Sequence, residues 1–320
     1  MPDRGIAPRP PVSSQTAQGA NPKVRLDANG VHLFDRATGL NVLVDELSPP
    51  RTTWSRMPRY VSVALTNACD LRCFFCYAPK NPGRLRADDV VAWARELDRG
   101  GCLGIGFGGG EPTAHPQFAE ICALAAAETG LAVTVTTHGH RFSDALAERV
   151  RGSLHFVRVS VDAVGAEYER IRGRSFGELR ERVAHIATVA PFGLNMVVAD
   201  DRLAQLDPVA AFAAEVGASE LLLLPQQAAG AAPALSGAGA GQLAMWISGY
   251  RGPVRLAISR LGVPDGLPLA DPYEPEDMLA AHAHIDVGGH LRSDAYSAVA
   301  VPIAGSIAFA LEELRAKGAQ

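Results

Sequence analysis

Between Tyr60 and Pro225, short apolar runs alternate six times with stretches of helical character, and this rhythm constrains the fold of the 320-residue chain more than any other feature. The runs are YVSVALT (60–66), LGIGFG (103–108), LAVTVTT (131–137), HFVRVSV (155–161), GLNMVVA (193–199) and ELLLLP (220–225). Helical stretches fall between them near 87–98, 116–128, 143–151, 176–190 and 207–216. In the first, Val90, Trp93, Ala94 and Leu97 share one helical face. Tandem β/α units of this kind build a parallel sheet wound in one direction. The strands read as mostly apolar on both faces, as expected where helices cover a sheet. An open six-stranded barrel and a doubly wound sheet both satisfy the pattern.

The flanks differ in character. Residues 1–23, rich in Pro, Ser, Gln and Gly, are expected to form a disordered tail. Residues 24–57 are expected to form a β-meander, with turns at Asn29-Gly30 and Thr38-Gly39, and a linker marked by Pro49, Pro50 and Pro58. The core is assigned to 58–228 and a C-terminal extension to 229–320. In the extension the Ala/Gly-rich stretch after Gln227 reads as a loop before a helix at 242–250. HIDVGGHLRSDAY (284–296) reads as two strands around a Gly-Gly turn, and 306–317 as an amphipathic closing helix.

Charge excludes some partners. There are 34 acidic and 30 basic residues, for a formal charge of −4 and no basic stripe, which argues against nucleic acid. No apolar run of about 20 residues is available to span a bilayer. The N-terminus has charges and prolines where a secretion signal needs an apolar stretch. A cytoplasmic protein with no membrane partner is the expectation. Five cysteines, an odd number with three crowded together, do not form a secreted disulfide framework.

Those three are Cys69, Cys73 and Cys76, spaced C-x3-C-x2-C just past the first strand in LTNACDLRCFFCYAPK. A loop at the carboxyl end of a parallel strand is where such folds place ligands. Three thiolates suit an iron–sulfur cluster or zinc. A zinc site completed by His138 or His140 is the alternative, although structural zinc more often uses paired C-x2-C knuckles. Three ligands to a four-iron cube leave one iron open for chemistry.

With Phe75 before the third cysteine and Tyr77 after it, the segment resembles the signature of the radical S-adenosylmethionine (SAM) superfamily. That resemblance implies a partial (β/α)6 TIM-like barrel of α/β class. It also implies one [4Fe–4S] cluster on Cys69, Cys73 and Cys76, with SAM chelating the open iron and Phe75 near the adenine. GGGEP (108–112) resembles the family's GGEP segment, so Gly109, Gly110 and Glu111 are assigned to the methionyl amino group. Ser160 and Arg172, in VRVSVDAVGAEYERIRG, match positions that hold the SAM carboxylate in the peptide- and sulfatase-maturing branch. By the same resemblance Thr137 faces the cofactor, Asn195 reaches the ribose and Gln226 lies beside the adenine. His138 and Asp162 are candidates for the substrate cavity, and each also reads as a turn residue.

Relatives with auxiliary clusters carry further cysteines near the C-terminus, and this chain has none after Cys122. Ser293 and Asp294 stand where one would be needed, so a degenerate, cluster-free SPASM/twitch-like extension is expected. A tail metal site on His282, His284 and His290 is a minor alternative. Cys102 and Cys122 read as core thiols. The resemblance implies an external one-electron reductant of flavodoxin or ferredoxin type and hydrogen abstraction from a substrate. A peptide is favoured, with a small sugar- or amino-acid-derived molecule as the alternative. A non-catalytic zinc or iron–sulfur module is the competing class.

Overall fold

Alternation within the strands decides between the two architectures. The computed structural model describes residues 22–229, 232–259 and 278–318. Three short strands, β1 (Lys23–Asp27), β2 (Gly30–Asp35) and β3 (Leu40–Val44), form a separate antiparallel sheet. Then follow β4 (Tyr60–Thr66), α1 (Ala87–Arg99), β5 (Gly104–Gly109), α2 (Phe118–Glu128), β6 (Ala132–Thr137) and α3 (Asp144–Val150). β7 (Phe156–Ser160), α4 (Gly165–Arg172), α5 (Phe176–Ala187), β8 (Phe192–Val198), α6 (Leu206–Glu215) and β9 (Glu220–Pro225) complete six parallel strands in sequential order. Of the tail expected over 1–23, residues 1–21 lie outside the described residues, and Lys23 opens β1.

Val61, Val63, Leu65, Ile105, Phe107, Val133, Val135, Val157, Val159, Leu194 and Met196 belong to one continuous core with the helices. The alternate positions Ser62, Gly106, Gly108, Thr136, Ser160 and Asn195 instead line a cavity. From β4 to β8 the cavity-facing positions are therefore mostly small or polar, whereas β9, with Leu221 and Leu223 on one face and Leu222 and Leu224 on the other, is apolar on both. Helices cover the apolar face, and the small and polar face is concave and open. That is the wall of a barrel-like α/β sheet, in which interior positions alternate with exterior ones.

The extension lengthens the same sheet at both edges. Helix α7 (Gly237–Gly249) leads to β10 (Arg255–Ile258), which pairs in parallel with β9. A short α8 (Met278–Ala281) leads to β11 (His282–Ile285), parallel beside β4, with β12 (His290–Arg292) and β13 (Val301–Pro302) antiparallel beyond it. Helix α9 (Ile307–Gly318) closes the chain. Asp286 sets the β11–β12 turn by accepting from the backbone N–H of Gly288 (2.8 Å) and His290 (3.1 Å). Part of the expected Ala/Gly loop is helix: Ser236 caps α7 by accepting from Gly239 N at 3.0 Å, which satisfies an end N–H and lets GAGAGQ join the helix.

Arg25 fastens the small sheet to the core. Its guanidinium is 1% exposed and donates to Asp27 (3.0 Å) and to the carbonyls of Met57 (2.7 Å), Gly101 (3.1 Å) and Ala280 (3.1 Å). Those carbonyls precede β4, β5 and β11, so the small sheet sits at the amino ends of the strands.

Candidate active site at the carboxyl ends of the strands

The chain leaves β4 at Thr66 and returns at Leu85, closed by Asn67 N to Gly83 O (2.9 Å) and Leu85 N to Leu65 O (2.9 Å). The three cysteines lie within this loop, half-buried as free thiols. All three line one end of a cavity of about 380 Å³, a volume within the usual range for ligand sites. Gly109 and Gly110 hold the loop against β5. Gly109 has φ +121°, and a Cβ on Gly110 would lie 2.5 Å from the carbonyl oxygens of Asn67 and Ala68. Without side chains, Gly110 N reaches Thr66 O (2.6 Å) and Glu111 N reaches Ala68 O (2.8 Å). The glycines thus set where the cysteine loop begins.

Glu111 is not a solvated turn residue. It is 1% exposed, and its carboxylate accepts from Thr113 N (3.2 Å), Thr113 Oγ1 (2.6 Å), Thr137 Oγ1 (2.7 Å) and His138 N (2.9 Å). Glu111 thereby ties the end of β5 to the end of β6. His138 lines the cavity, and its Nε2 lies 3.0 Å from Asp70 Oδ1.

Arg172, at the end of α4, lines the cavity and donates to Cys73 Sγ at 3.6 Å. Asp162 is absent from the cavity lining. Its Oδ2 accepts from Arg172 Nε (2.6 Å) and Nη2, while Oδ1 accepts from Val197 N (2.9 Å). Burial works against the Arg172 charge, and Asp162, with Cys73 and Tyr168 acting in the same sense, more than offsets it, so the guanidinium pKa is pushed up. Burial also pushes the Cys69 and Cys73 thiols up, with Arg172 acting in the opposite sense on Cys73.

Ser160 and Asn195 pair in register on β7 and β8 and both line the cavity, as do Thr137, Phe75 and Gln226. The sequence offered no sign of Arg202, which is fully buried with its guanidinium 4.3 Å from the Phe75 ring centroid and 5.8 Å from that of Phe74. It also donates to the Gln226 side-chain carbonyl, whose amide nitrogen donates to Pro233 O. An arginine between two aromatic rings and an amide holds both in place. Tyr77, from the cysteine loop, packs on Tyr296 of the extension with ring centroids 5.0 Å apart. Tyr60, Ser62, His282, His284 and Asp294 complete the far wall.

Two sulfurs on one zinc lie within about 4.6 Å, twice the Zn–S distance. Among the described residues the group whose ligand atoms all fall within 4.8 Å is Cys69, Asp70 and His138, not the three cysteines. The His138–Asp70 hydrogen bond accounts for that trio. A cube with a separate iron for each thiolate suits the wider spacing of Cys69, Cys73 and Cys76. Among the described residues the three tail histidines do not group as one metal site, and His290 pairs with Asp286 (3.1 Å). Cys102 and Cys122 are fully buried outside the cavity, and burial pushes the Cys102 thiol up to about 11.

Residues 63–198 match the Radical SAM superfamily. The match covers 136 of the 320 residues, so the likeness is one of the central region of the chain. The chain is 31% identical over 163 residues to mycofactocin maturase MftC of Mycobacterium tuberculosis (strain ATCC 25618 / H37Rv), covering 48% of this chain and 41% of that protein. It is 33% identical over 118 residues to GTP 3′,8-cyclase of Chlorobaculum tepidum, covering 36% of each. The chain spans less than half the length of these curated relatives. Among solved structures, Streptococcus suis SuiB bound to S-adenosylmethionine superposes with a TM-score of 0.70 at 13% identity, covering 86% of this chain and 82% of SuiB. SuiB bound to its precursor peptide SuiA gives 0.69. At that identity the likeness is one of fold. Among the described residues no helix is long and apolar enough to cross a membrane.

Proposed function

We propose that this chain is a radical SAM enzyme that abstracts hydrogen from a peptide. The observation carrying the proposal is the meeting of Cys69, Cys73, Cys76, Glu111 and Arg172 at one end of a cavity with ample room beyond them. Cys69, Cys73 and Cys76 would hold one [4Fe–4S] cluster. Glu111 would take the amino group of SAM, Arg172 and Ser160 the carboxylate, Asn195 the ribose, and Phe75 with Gln226 the adenine. When bound, the pair supplies a reductively generated 5′-deoxyadenosyl radical. The chain's own part is positioning and dryness. Asp162 keeps Arg172 charged and aimed beside Cys73, and a guanidinium fork matches a carboxylate. Glu111 is held by four donors before any ligand arrives, which limits reorganisation on binding. Leu71, Phe75, Phe107, Val197 and Leu224 give the cavity apolar walls that exclude water.

The peptide reading is supported by relatives named as a maturase and as bound to a precursor peptide. A nucleotide, as in the GTP cyclase relative, would need cations for its phosphates. Among the described lining residues Arg172 is the sole Lys or Arg, and it is paired with Asp162. A small uncharged molecule is the second reading the cavity admits. The exposed edge at Leu40 and Val42 of β3 offers a strand for peptide pairing. Because that sheet sits at the amino ends of the strands, a peptide held there must run the length of β4 to reach the cysteines. That is about 20 Å, or some seven extended residues. The proposal includes a flavodoxin- or ferredoxin-type reductant in the cytoplasm, and no nucleic-acid or membrane partner.

Anaerobic reconstitution is expected to give about four irons per chain and reductant-dependent 5′-deoxyadenosine from SAM, both lost in Cys73→Ala. Deleting residues 24–46 is expected to weaken peptide turnover and leave SAM binding intact. A colourless, zinc-loaded protein indifferent to SAM would refute the reading.

A further inference from the structure

The strand that the extension adds beside β4 places two histidines in the cavity, and their hydrogen bonds run in one direction. His282 and His284 stand opposite Tyr60 and Ser62 in the parallel pairing, and all four line the cavity. His282 Nδ1 lies 3.1 Å from the Ser293 carbonyl oxygen, which can only accept, so Nδ1 carries a proton. Burial holds both imidazoles below the ordinary histidine pKa, His284 at about 4, so each ring has a single proton at neutral pH. His282 Nε2 is then a bare acceptor and takes the Ser62 hydroxyl hydrogen at 3.2 Å. With that hydrogen committed, Ser62 Oγ accepts from His284 Nδ1 at 2.8 Å. The network thereby assigns both tautomers. It ends at His284 Nε2, a lone pair in the cavity wall with no protein partner among the described residues.

We propose that His284 Nε2 is a specificity-determining acceptor that takes an N–H or O–H from an uncharged group of the substrate. In the peptide reading this is a side-chain hydroxyl, phenol or amide. The proposal rests on the reading of the cavity as a radical SAM site and adds what its far wall selects. The wall turns away phosphate and carboxylate, because among its described residues the one fixed charge is the Asp294 carboxylate and the histidines present a lone pair rather than a proton. An anion there would lose its hydration and find no counter-charge. His282, His284 and Asp294 lie outside the matched region 63–198, so the extension supplies the selecting groups, with Ser62 of β4 setting their tautomers.

Two measurements on the anaerobically reconstituted full chain test this. Nitrogen-15 spectra of histidine-labelled protein at pH 7 are expected to show His282 and His284 neutral and protonated at Nδ1. In Ser62→Ala, His284 is expected to lose its tautomer preference. A charged His284, or one protonated at Nε2, overturns the proposal. In ligand-observed NMR with SAM present and reductant absent, N-acetyltyrosinamide is the probe, set against its O-methyl ether and its O-phosphate ester. The phenol is expected to bind at least about tenfold more tightly than either, and His284→Leu to abolish its advantage over the ether. A wild-type protein that binds the phenol no better than the ether, or that binds the phosphate as well, sinks the acceptor role. Absence of reductive SAM cleavage by the wild-type protein would count against the radical SAM reading alone and leave the tautomer result standing.

Discussion

Asp162→Asn is the most informative single change to the cysteine-lined end of the cavity. Asp162 has a side chain 1% exposed, and that of Arg172 is 9% exposed, so this is a buried ion pair. Its Oδ2 serves Arg172 and its Oδ1 serves Val197 N. Asparagine keeps the shape but offers one oxygen and one NH₂, so one of the two donors must face another donor. Arg172 also loses its counter-charge while remaining out of water. Removing one member of a buried pair costs about 3–5 kcal/mol. For a chain of this length, roughly 1.5 °C of melting temperature corresponds to 1 kcal/mol, so the midpoint is expected to fall about 5–7 °C. On the proposal that Arg172 takes the SAM carboxylate, that group replaces the missing charge, so ligand-induced stabilisation is expected to be larger in Asp162→Asn than in wild type. Differential scanning fluorimetry under anaerobic conditions, with and without SAM, measures both. A midpoint within 1 °C of wild type, or a variant that gains less from SAM, would show that Asp162 is not the support for Arg172 argued above.

Three further outcomes are expected. Arg202→Met removes the cation lying against Phe75 and the donor to Gln226, so SAM affinity by equilibrium dialysis is expected to fall roughly tenfold, about 1.4 kcal/mol, with iron content unchanged. An unchanged SAM affinity refutes that positioning role. Gly110→Ala forces a Cβ against two carbonyl oxygens at 2.5 Å, so cluster incorporation, read as iron per chain, is expected to drop sharply. Full incorporation would mean that the loop tolerates displacement from β5. Burial lowers the His284 pKa from 6.5 to about 4, so the unfolded state binds more protons between those values. Stability is therefore present above pH 6.5 and lost as pH falls toward 4, by on the order of 3 kcal/mol for this residue. Urea melts at pH 7 and pH 5 are expected to show a smaller acid loss in His284→Gln, and an equal loss in both proteins refutes it.

Several elements were legible in the chain itself. The six runs from Tyr60 to Pro225 coincide with β4 to β9 within a residue or so at either end, because β-branched and leucine-rich segments punctuated by Gly and Pro leave little choice of period. The hairpin around Gly288-Gly289 was also visible, since Gly289 has φ +75° and the turn needs it. Helix α4 went unread, since GAEYERIR is short and mostly polar. Its end shows only in Gly173, which adopts φ +66°. The Ala/Gly segment was misassigned because glycine disfavours helix locally, whereas the Ser236 cap and its contact with Asp200 are tertiary.

Local chemistry, then, determined which segments become strands and that Cys69, Cys73 and Cys76 share one loop. Spacing along the chain is a short-range property, and hydrophobic period survives in any packing. Only the tertiary structure decided that the polar alternate positions face a common cavity, and that Asp162 belongs beneath Arg172 rather than in the cavity wall. It alone placed Arg202 against Phe75, and His282 and His284, 220 and more residues from their Ser62 partner, in the far wall. Those placements depend on strand order and on which face of the sheet the helices cover, and a hydrogen bond between distant residues leaves no trace in the composition around either one.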